Sequence, residues 1–275
     1  MGKNYKSIAE DTLKLIEQGF YYNSKNEKVE IAGLIQYSVD NTNLYTSEQL
    51  GSLLSATKVT GDNKTTFEVT NETTLDAARR LAAEGEEDIL CLNFASAKNP
   101  GGGFLRGAVA QEESIARVSG LYPCLLKAPE YYSYHREQQN FLYSDHMIWS
   151  PRVPVFKNEN GNVTDSVLSV SVVTSAAVNA GELQKRNAAK TSEIEAVMRT
   201  RIEKLLAICV ASNHPTLILG AWGCGVFRND PDMIASLFHE ALTGKFAGCF
   251  KRIVFAVKTN NESMIGSFSK RFTIN

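Results

Sequence analysis

Three consecutive glycines, Gly101, Gly102 and Gly103, are followed eight positions on by Gln111, Glu112 and Glu113. Glycine reaches positive φ and lets a ligand approach the backbone closely. Ile115, Val118 and Leu121 continue at helical spacing, so the two glutamates fall at the start of a helix. A glycine loop running into a helix start offers backbone N–H groups to an anion. A carboxyl group beside it can give or take a proton. Together they suit a phosphate-bearing substrate cut by acid–base chemistry.

Adjacent helix residues project about 100° apart. Glu112 and Glu113 therefore cannot flank one glycosidic bond as the paired carboxylates of ordinary glycosidases do, at roughly 5–9 Å. One is expected to be the acid–base group and the other a binder. On a generic helix the same pair would merely complement the dipole. A helix start also lowers a carboxyl pKa, while a general acid needs it raised, so burial or a neighbouring charge must supply the difference. The glycine run is no dinucleotide fingerprint, because Arg106 stands at the third glycine position. It is no P-loop either, which needs Gly-Lys followed by Ser or Thr.

A second glycine run, Gly223, Cys224, Gly225, Val226 and Phe227, offers another phosphate cradle. Cys224 has no histidine near it in sequence and reads as a small buried hydrophobe. Phe227 and Trp222 read as core by base rates for aromatics. Asn99 reads as turn chemistry. Thr70, Asn71 and Thr73 sit at a strand end, where capping and site-lining are equal expectations.

The elements that must position these residues alternate. Helices are expected over Ser7–Gln18, Ser47–Leu54, Leu75–Glu84, Ser192–Ser212 and Asp230–Thr243, with a last one in the tail. Strands are expected over Thr65–Thr70, Asp88–Phe94, Val167–Thr174, Thr216–Leu219 and Arg252–Val257, and short strand-like runs within 20–46. Residues 122–166, rich in Tyr, Pro and Asn, read as an irregular covering layer. The pattern implies an α/β sheet with helices on its faces. The loops 95–110, 175–181 and 220–229 each follow a buried strand, the side where open α/β sheets bind ligands.

The 275 residues are 43% hydrophobic and 21% charged, ordinary for a globular protein with its own core. With 29 basic and 30 acidic side chains the net charge is −1, no footprint for general nucleic-acid binding. A polyanionic substrate is therefore expected to meet a local positive site. Five cysteines without a CxxC spacing read as reduced thiols, with no zinc pattern. The four histidines show no ligand spacing, so no metal and no cofactor is expected. No apolar run reaches the ~18 residues of a membrane span, and no signal-peptide core opens the chain. A cytoplasmic monomer is the expectation, nuclear in a eukaryote.

These residues also carry a family resemblance. The run from GGG to QEE resembles the signature of poly(ADP-ribose) glycohydrolases, and NFASAKNPGGGFLRGAVAQEESIARVSGLYPCL looks like the short, microbial type. VTNETTLDAARRL (69–81), VVTSAAVNAG (172–181) and LGAWGCGVFRNDP (219–231) are similar too, so the likeness runs from about Ile8 to Val257. It implies one catalytic domain: a macrodomain-like mixed sheet over about 61–275, with helices on both faces, and an N-terminal helical extension over about 1–60. It implies hydrolysis of ribose–ribose O-glycosidic bonds with release of ADP-ribose, acting on poly(ADP-ribose) carried by modified proteins. Glu113 would be the catalytic acid–base residue, and Glu112 would contact the adjoining ribose hydroxyl. Gly101–Gly103, Gln111 and Gly223–Val226 would bind substrate, Asn99 would hydrogen-bond the distal ribose and Phe227 would pack on it. Three other readings remain open at this point: a hydrolase of mono-ADP-ribosylated protein or nucleic acid, a non-catalytic ADP-ribose reader, and a nucleotide-dependent transferase.

Overall fold

The structure, a computed structural model, describes residues 4–59, 61–138, 140–187 and 190–273. In chain order the elements are α1 (Tyr5–Gln18), β1 (Phe20–Tyr22), β2 (Lys28–Glu30), α2 (Ala32–Asp40), β3 (Asn43–Tyr45) and α3 (Ser47–Ala56). Then follow β4 (Thr66–Thr70), α4 (Thr74–Ala83), β5 (Ile89–Phe94), a 3-10 turn (Phe104–Arg106), α5 (Gln111–Val118), α6 (Leu121–Leu126) and α7 (Pro129–Gln138). The chain continues through β6 (Met147–Lys157), β7 (Val163–Ser175), α8 (Ala180–Lys185), α9 (Thr191–Ala211), β8 (Thr216–Leu219), α10 (Pro231–Thr243), β9 (Arg252–Ala256) and α11 (Glu262–Phe272).

Seven strands form one mixed sheet in the order β3-β6-β7-β5-β8-β9-β4. β7, β5, β8, β9 and β4 run parallel, and β6 pairs antiparallel with β7 and β3. The central strands are apolar on both faces because both are covered. Leu90, Leu92, Leu217, Leu219, Ile253 and Phe255 pack on α9, α10 and α11. Cys91, Ile218 and Val254 point the other way, onto α4, α5, α6 and α7. Burying both faces fixes the register, since a one-residue slip would exchange them.

Local sequence explains several boundaries. Asn4 caps α1, and Gly19, at φ 80, ends it. Thr46 and Gln49 form a capping box at α3. Asp230 caps α10, with Pro231 in its first turn. Two expectations are corrected. Residues 32–40 are helix α2, not strand: Ile31 at its start makes no side-chain cap, so the usual signal is missing. Residues 122–166 are not irregular: they contain α6, α7, β6 and the first residues of β7. Pro151 and Pro154 argue against a central strand. β3 pairs only with Met147–Trp149, so beyond Trp149 β6 is an edge strand and bulges between Ser150 and Val153. Pro154 still contributes its carbonyl, which accepts from the Gly120 N–H at 2.8 Å.

The first sixty residues are tied into the remainder. β3 extends the sheet, and Thr12 Oγ1 donates to the Arg117 carbonyl on α5. The buried Lys157 ammonium donates to Asp11 at 2.6 Å and Thr12 at 2.9 Å, holding the β6–β7 hairpin against α1. Among the described residues no helix is long and apolar enough to cross a membrane.

Candidate active site

A cavity of about 640 Å³ opens at the carboxyl ends of β5, β8 and β9. The loops after β5 and β8 wall it, as strand order implied, and the segment after β9, Ala256 to Lys258, completes the wall. Ala177 is the part of the 175–181 loop that reaches it.

The first turn of α5 presents both glutamates to this cavity. Glu113 is half-buried, and its Oε1 accepts from the Gly103 N–H at 2.9 Å. Glu112 is only 2% exposed. Its Oε2 accepts from the Ser96 N–H at 2.7 Å, and its Oε1 faces Asn93 Nδ2 at 3.4 Å. Burial pushes the Glu112 carboxyl up to about 8, with the Ser96 N–H opposing and the nearby Glu113 charge adding to the rise. Asn93 also donates to Thr174 Oγ1 at 3.1 Å, which ties Glu112 to β7.

Gly102 explains why a glycine stands here. Its φ is +60°, and a Cβ built on it would lie 2.3 Å from Glu113 Oε1 and 3.1 Å from Glu112 Oε2. Both carboxylates converge on the space a side chain would fill. Gly103 leaves no more room, because its Cβ would meet Ala108 at 2.8 Å. Gly101 stands behind the wall, packed on Phe104.

Gln111 spends its amide within the protein. It accepts from the Phe94 N–H at 2.8 Å and donates to the Leu92 carbonyl at 2.7 Å and to Thr74 Oγ1 at 3.0 Å. These bonds close the end of β5 and fix the angle at which α5 enters the site. Asn99 is exposed at the rim, and its carbonyl accepts from the Gly102 N–H, which shapes the glycine turn.

The second loop is built more openly. Gly223, at φ 74, has no room for a Cβ, which would lie 2.4 Å from Ala177. Gly225 has nothing within 4 Å, and Val226 is 80% exposed. Phe227 is half-buried in the cavity wall, 5.9 Å from the Tyr143 ring. Cys224 is buried behind the wall and burial raises its thiol well above the ordinary value, which leaves no nucleophile there. Trp222 is core, with its indole N–H donating to the Ser175 carbonyl at 3.1 Å. Thr73 caps α4, and Asn71 bonds Thr259.

The expected local positive site is corrected at the cavity itself. Its charged lining is Glu72, Glu112, Glu113 and Glu159 against Arg106 and Lys258. Favourable potential for an anion must come there from backbone N–H groups. Among the described residues, no group of three or more His, Cys, Asp or Glu is placed to hold a metal ion.

The family model for the microbial-type poly(ADP-ribose) glycohydrolase catalytic domain matches residues 9–158. The chain belongs to the microbial-type poly(ADP-ribose) glycohydrolases. The poly(ADP-ribose) glycohydrolase of Thermomonospora curvata is 42% identical, with a TM-score of 0.93 over 98% of this chain and 99% of that one. The same enzyme bound to the inhibitor ADP-HPD is 43% identical, with a TM-score of 0.91 and coverage of 98% and 99%. The Deinococcus radiodurans glycohydrolase in complex with ADP-ribose is 41% identical, with a TM-score of 0.83 over 89% of this chain and 99% of that one. Among curated proteins no sequence matches. The macrodomain-like α/β architecture expected from the resemblance is shown by these likenesses.

Beyond the glycohydrolase signature, sequence reasoning missed several wall residues. Lys258 and Met264 follow β9, and Glu159 arrives on the β6–β7 hairpin. A strand-end position was a usable signal for Lys258. None exists for Glu159, because Pro151 and Pro154 hide the strand that leads into its turn.

Proposed function

We propose that the protein hydrolyses the ribose–ribose O-glycosidic bond of poly(ADP-ribose), with Glu113 as the general acid and base. The observation that carries this reading is the position of Glu113: half-exposed in the cavity, with one oxygen on the Gly103 N–H and within the sweep of the glycine loop. Glycohydrolase family membership and the ADP-ribose complex of a 41% identical relative support the substrate class. Backbone N–H groups of the 223–227 loop hold the diphosphate, since those of Gly102 and Gly103 are already bonded within the first loop, and Phe227 orients the distal ribose. Glu113 gives its proton to the leaving ribose oxygen as the glycosidic bond breaks and the anomeric carbon gains oxocarbenium character. It then takes a proton from the attacking water, which completes the hydrolysis.

Glu112 serves as a hydrogen-bonding group to the adjoining ribose. Its raised carboxyl favours a second assignment, with Glu112 as the acid. Against that stand its burial and the Ser96 N–H already bound to it. The decisive experiment measures ADP-ribose release from defined poly- and mono-ADP-ribose substrates in EDTA. Glu113→Gln should lower polymer turnover by about 10²–10⁴-fold, with ADP-ribose binding within a few-fold. A near wild-type rate would remove Glu113 from the role. Tight ADP-ribose binding without any turnover by the wild type would make the protein a reader.

A further inference from the structure

Outside the acidic cavity, a basic rim surrounds one aromatic ring. The Arg186 guanidinium lies 4.5 Å from the centroid of Phe141, and the Lys98 ammonium lies 5.7 Å from it. Arg136 donates to the Lys98 carbonyl at 2.7 Å. Arg228 lies against Gly181, where a Cβ would come within 3.0 Å of its Cδ, and its own φ of 56 is a left-handed conformation uncommon outside glycine. Glu182 offsets part of this charge by pairing Lys185 at 2.6 Å and Arg186 at 3.9 Å. Among the described residues Lys98, Arg136 and Arg228 form no salt bridge. In a chain of net charge −1 this is a local concentration of positive charge.

The rim is continuous with the site. Lys98 precedes Asn99, which lines the cavity. An aromatic path leads inward from Phe141 to Tyr143 at 6.4 Å and from Tyr143 to Phe227 at 5.9 Å. The Phe141 carbonyl accepts from the Asn179 N–H, and the Phe227 carbonyl accepts from the Gly181 N–H, so the loops share one support.

We infer that this rim is a second substrate subsite, which holds the diphosphate and base of the polymer unit next to the one being cleaved. The inference rests on the proposed poly(ADP-ribose) hydrolysis. A polymer with a diphosphate in every repeat is strongly anionic, and the cavity's own side chains offer it no net positive charge. The rim supplies the attraction that the cavity lacks, steering the chain in. Phe141 carries Arg186 over its ring, and the guanidinium plane offers a face on which a base stacks. The single-unit product reaches only the cavity, so the rim distinguishes polymer from free ADP-ribose.

The test compares Arg136→Glu/Arg186→Glu with the parent, both exposed positions with the fold checked by melting. Labelled long-chain poly(ADP-ribose) and free ADP-ribose are titrated onto each in a Glu113→Gln background, at low and high salt. Polymer affinity should fall on the order of tenfold at low salt, with a shallower salt dependence, while ADP-ribose affinity stays within twofold. Arg136→Lys/Arg186→Lys should retain polymer affinity. Unchanged polymer affinity, or an equal loss for ADP-ribose, would overturn the subsite. So would a single-stranded oligonucleotide of equal length that binds as tightly as the polymer, which would make the rim a nucleic-acid surface. Failure of the hydrolysis reading shows separately, as a wild type that releases no ADP-ribose.

Discussion

Gly102 and Gly225 face one cavity from the ends of neighbouring strands, yet they tolerate opposite amounts of added atom. A Cβ on Gly102 would overlap the Glu113 carboxylate at 2.3 Å, whereas a Cβ on Gly225 meets nothing within 4 Å. The first loop is packed against the reacting group and sets its position. The second is an open wall that offers backbone and an aromatic ring to the ligand. Two glycine runs that look alike in sequence therefore do different work. The first fixes geometry at Gly102, while the second is packed at Gly223 and leaves space at Gly225.

The sharpest way to break this comparison is Gly102→Ala. The methyl group must displace a carboxylate, and misplacement of about 1 Å can cost on the order of 10²-fold in rate. Turnover should fall at least tenfold, beyond what a strained backbone at positive φ costs in stability, about 1–3 kcal/mol. Steady-state kinetics beside a melting curve will separate the two, and normal turnover would contradict the packed-loop description.

Phe227→Ala comes next. The ring is half-buried, so stability should fall by less than the ~3–5 kcal/mol typical of a fully buried aromatic. Turnover per folded molecule should fall more than melting does. A large melting loss with intact turnover would assign the ring to the core alone.

Glu112 gives a smaller, pH-dependent effect. Its folded carboxyl is raised from 4.5 to about 8, so the folded protein holds a proton that the unfolded chain releases. The associated stability is full below about pH 4.5 and is lost as pH rises through about 8. His135, shifted by burial from 6.5 down to about 4, acts in the opposite sense, but its contribution is complete above its unfolded value. His146 and His214, also lowered by burial, behave alike. Between pH 6.5 and 8 the wild type should therefore lose on the order of 2 kcal/mol that Glu112→Gln does not lose. Parallel unfolding curves for the two proteins across that window would show that the carboxyl is not held protonated.

The smallest effect is expected for Gly225→Ala, within about 0.5 kcal/mol in stability, since no neighbour must move. Chemical denaturation will measure it, and a loss comparable to that of Gly102→Ala would erase the distinction between the loops.

Much of this molecule was legible in its sequence. The parallel core strands announced themselves as short apolar runs, because burial on both faces demands it. The glycine runs, the glutamate pair and their place at strand ends followed from spacing alone. Capping residues marked α4 and α10, since a cap is a local hydrogen bond. What the sequence hid was non-local. β6 carries two prolines and is a strand only because β7 pairs with it, while its edge leaves the missing N–H groups without consequence. α2 has no cap signal and is held by burial of Ile35 against Phe156 and its neighbours. Which glutamate is buried is likewise non-local: Glu112 and Glu113 are chemically identical neighbours until Ser96 and Asn93 close over Glu112. The acidic cavity and its basic rim draw on residues from α7, α8 and the β6–β7 hairpin, far apart in the chain. Sequence determined the local chemistry, because hydrogen bonds and periodicity act over a few residues. Burial and electrostatic field sum over the whole fold, so only the tertiary structure decided them.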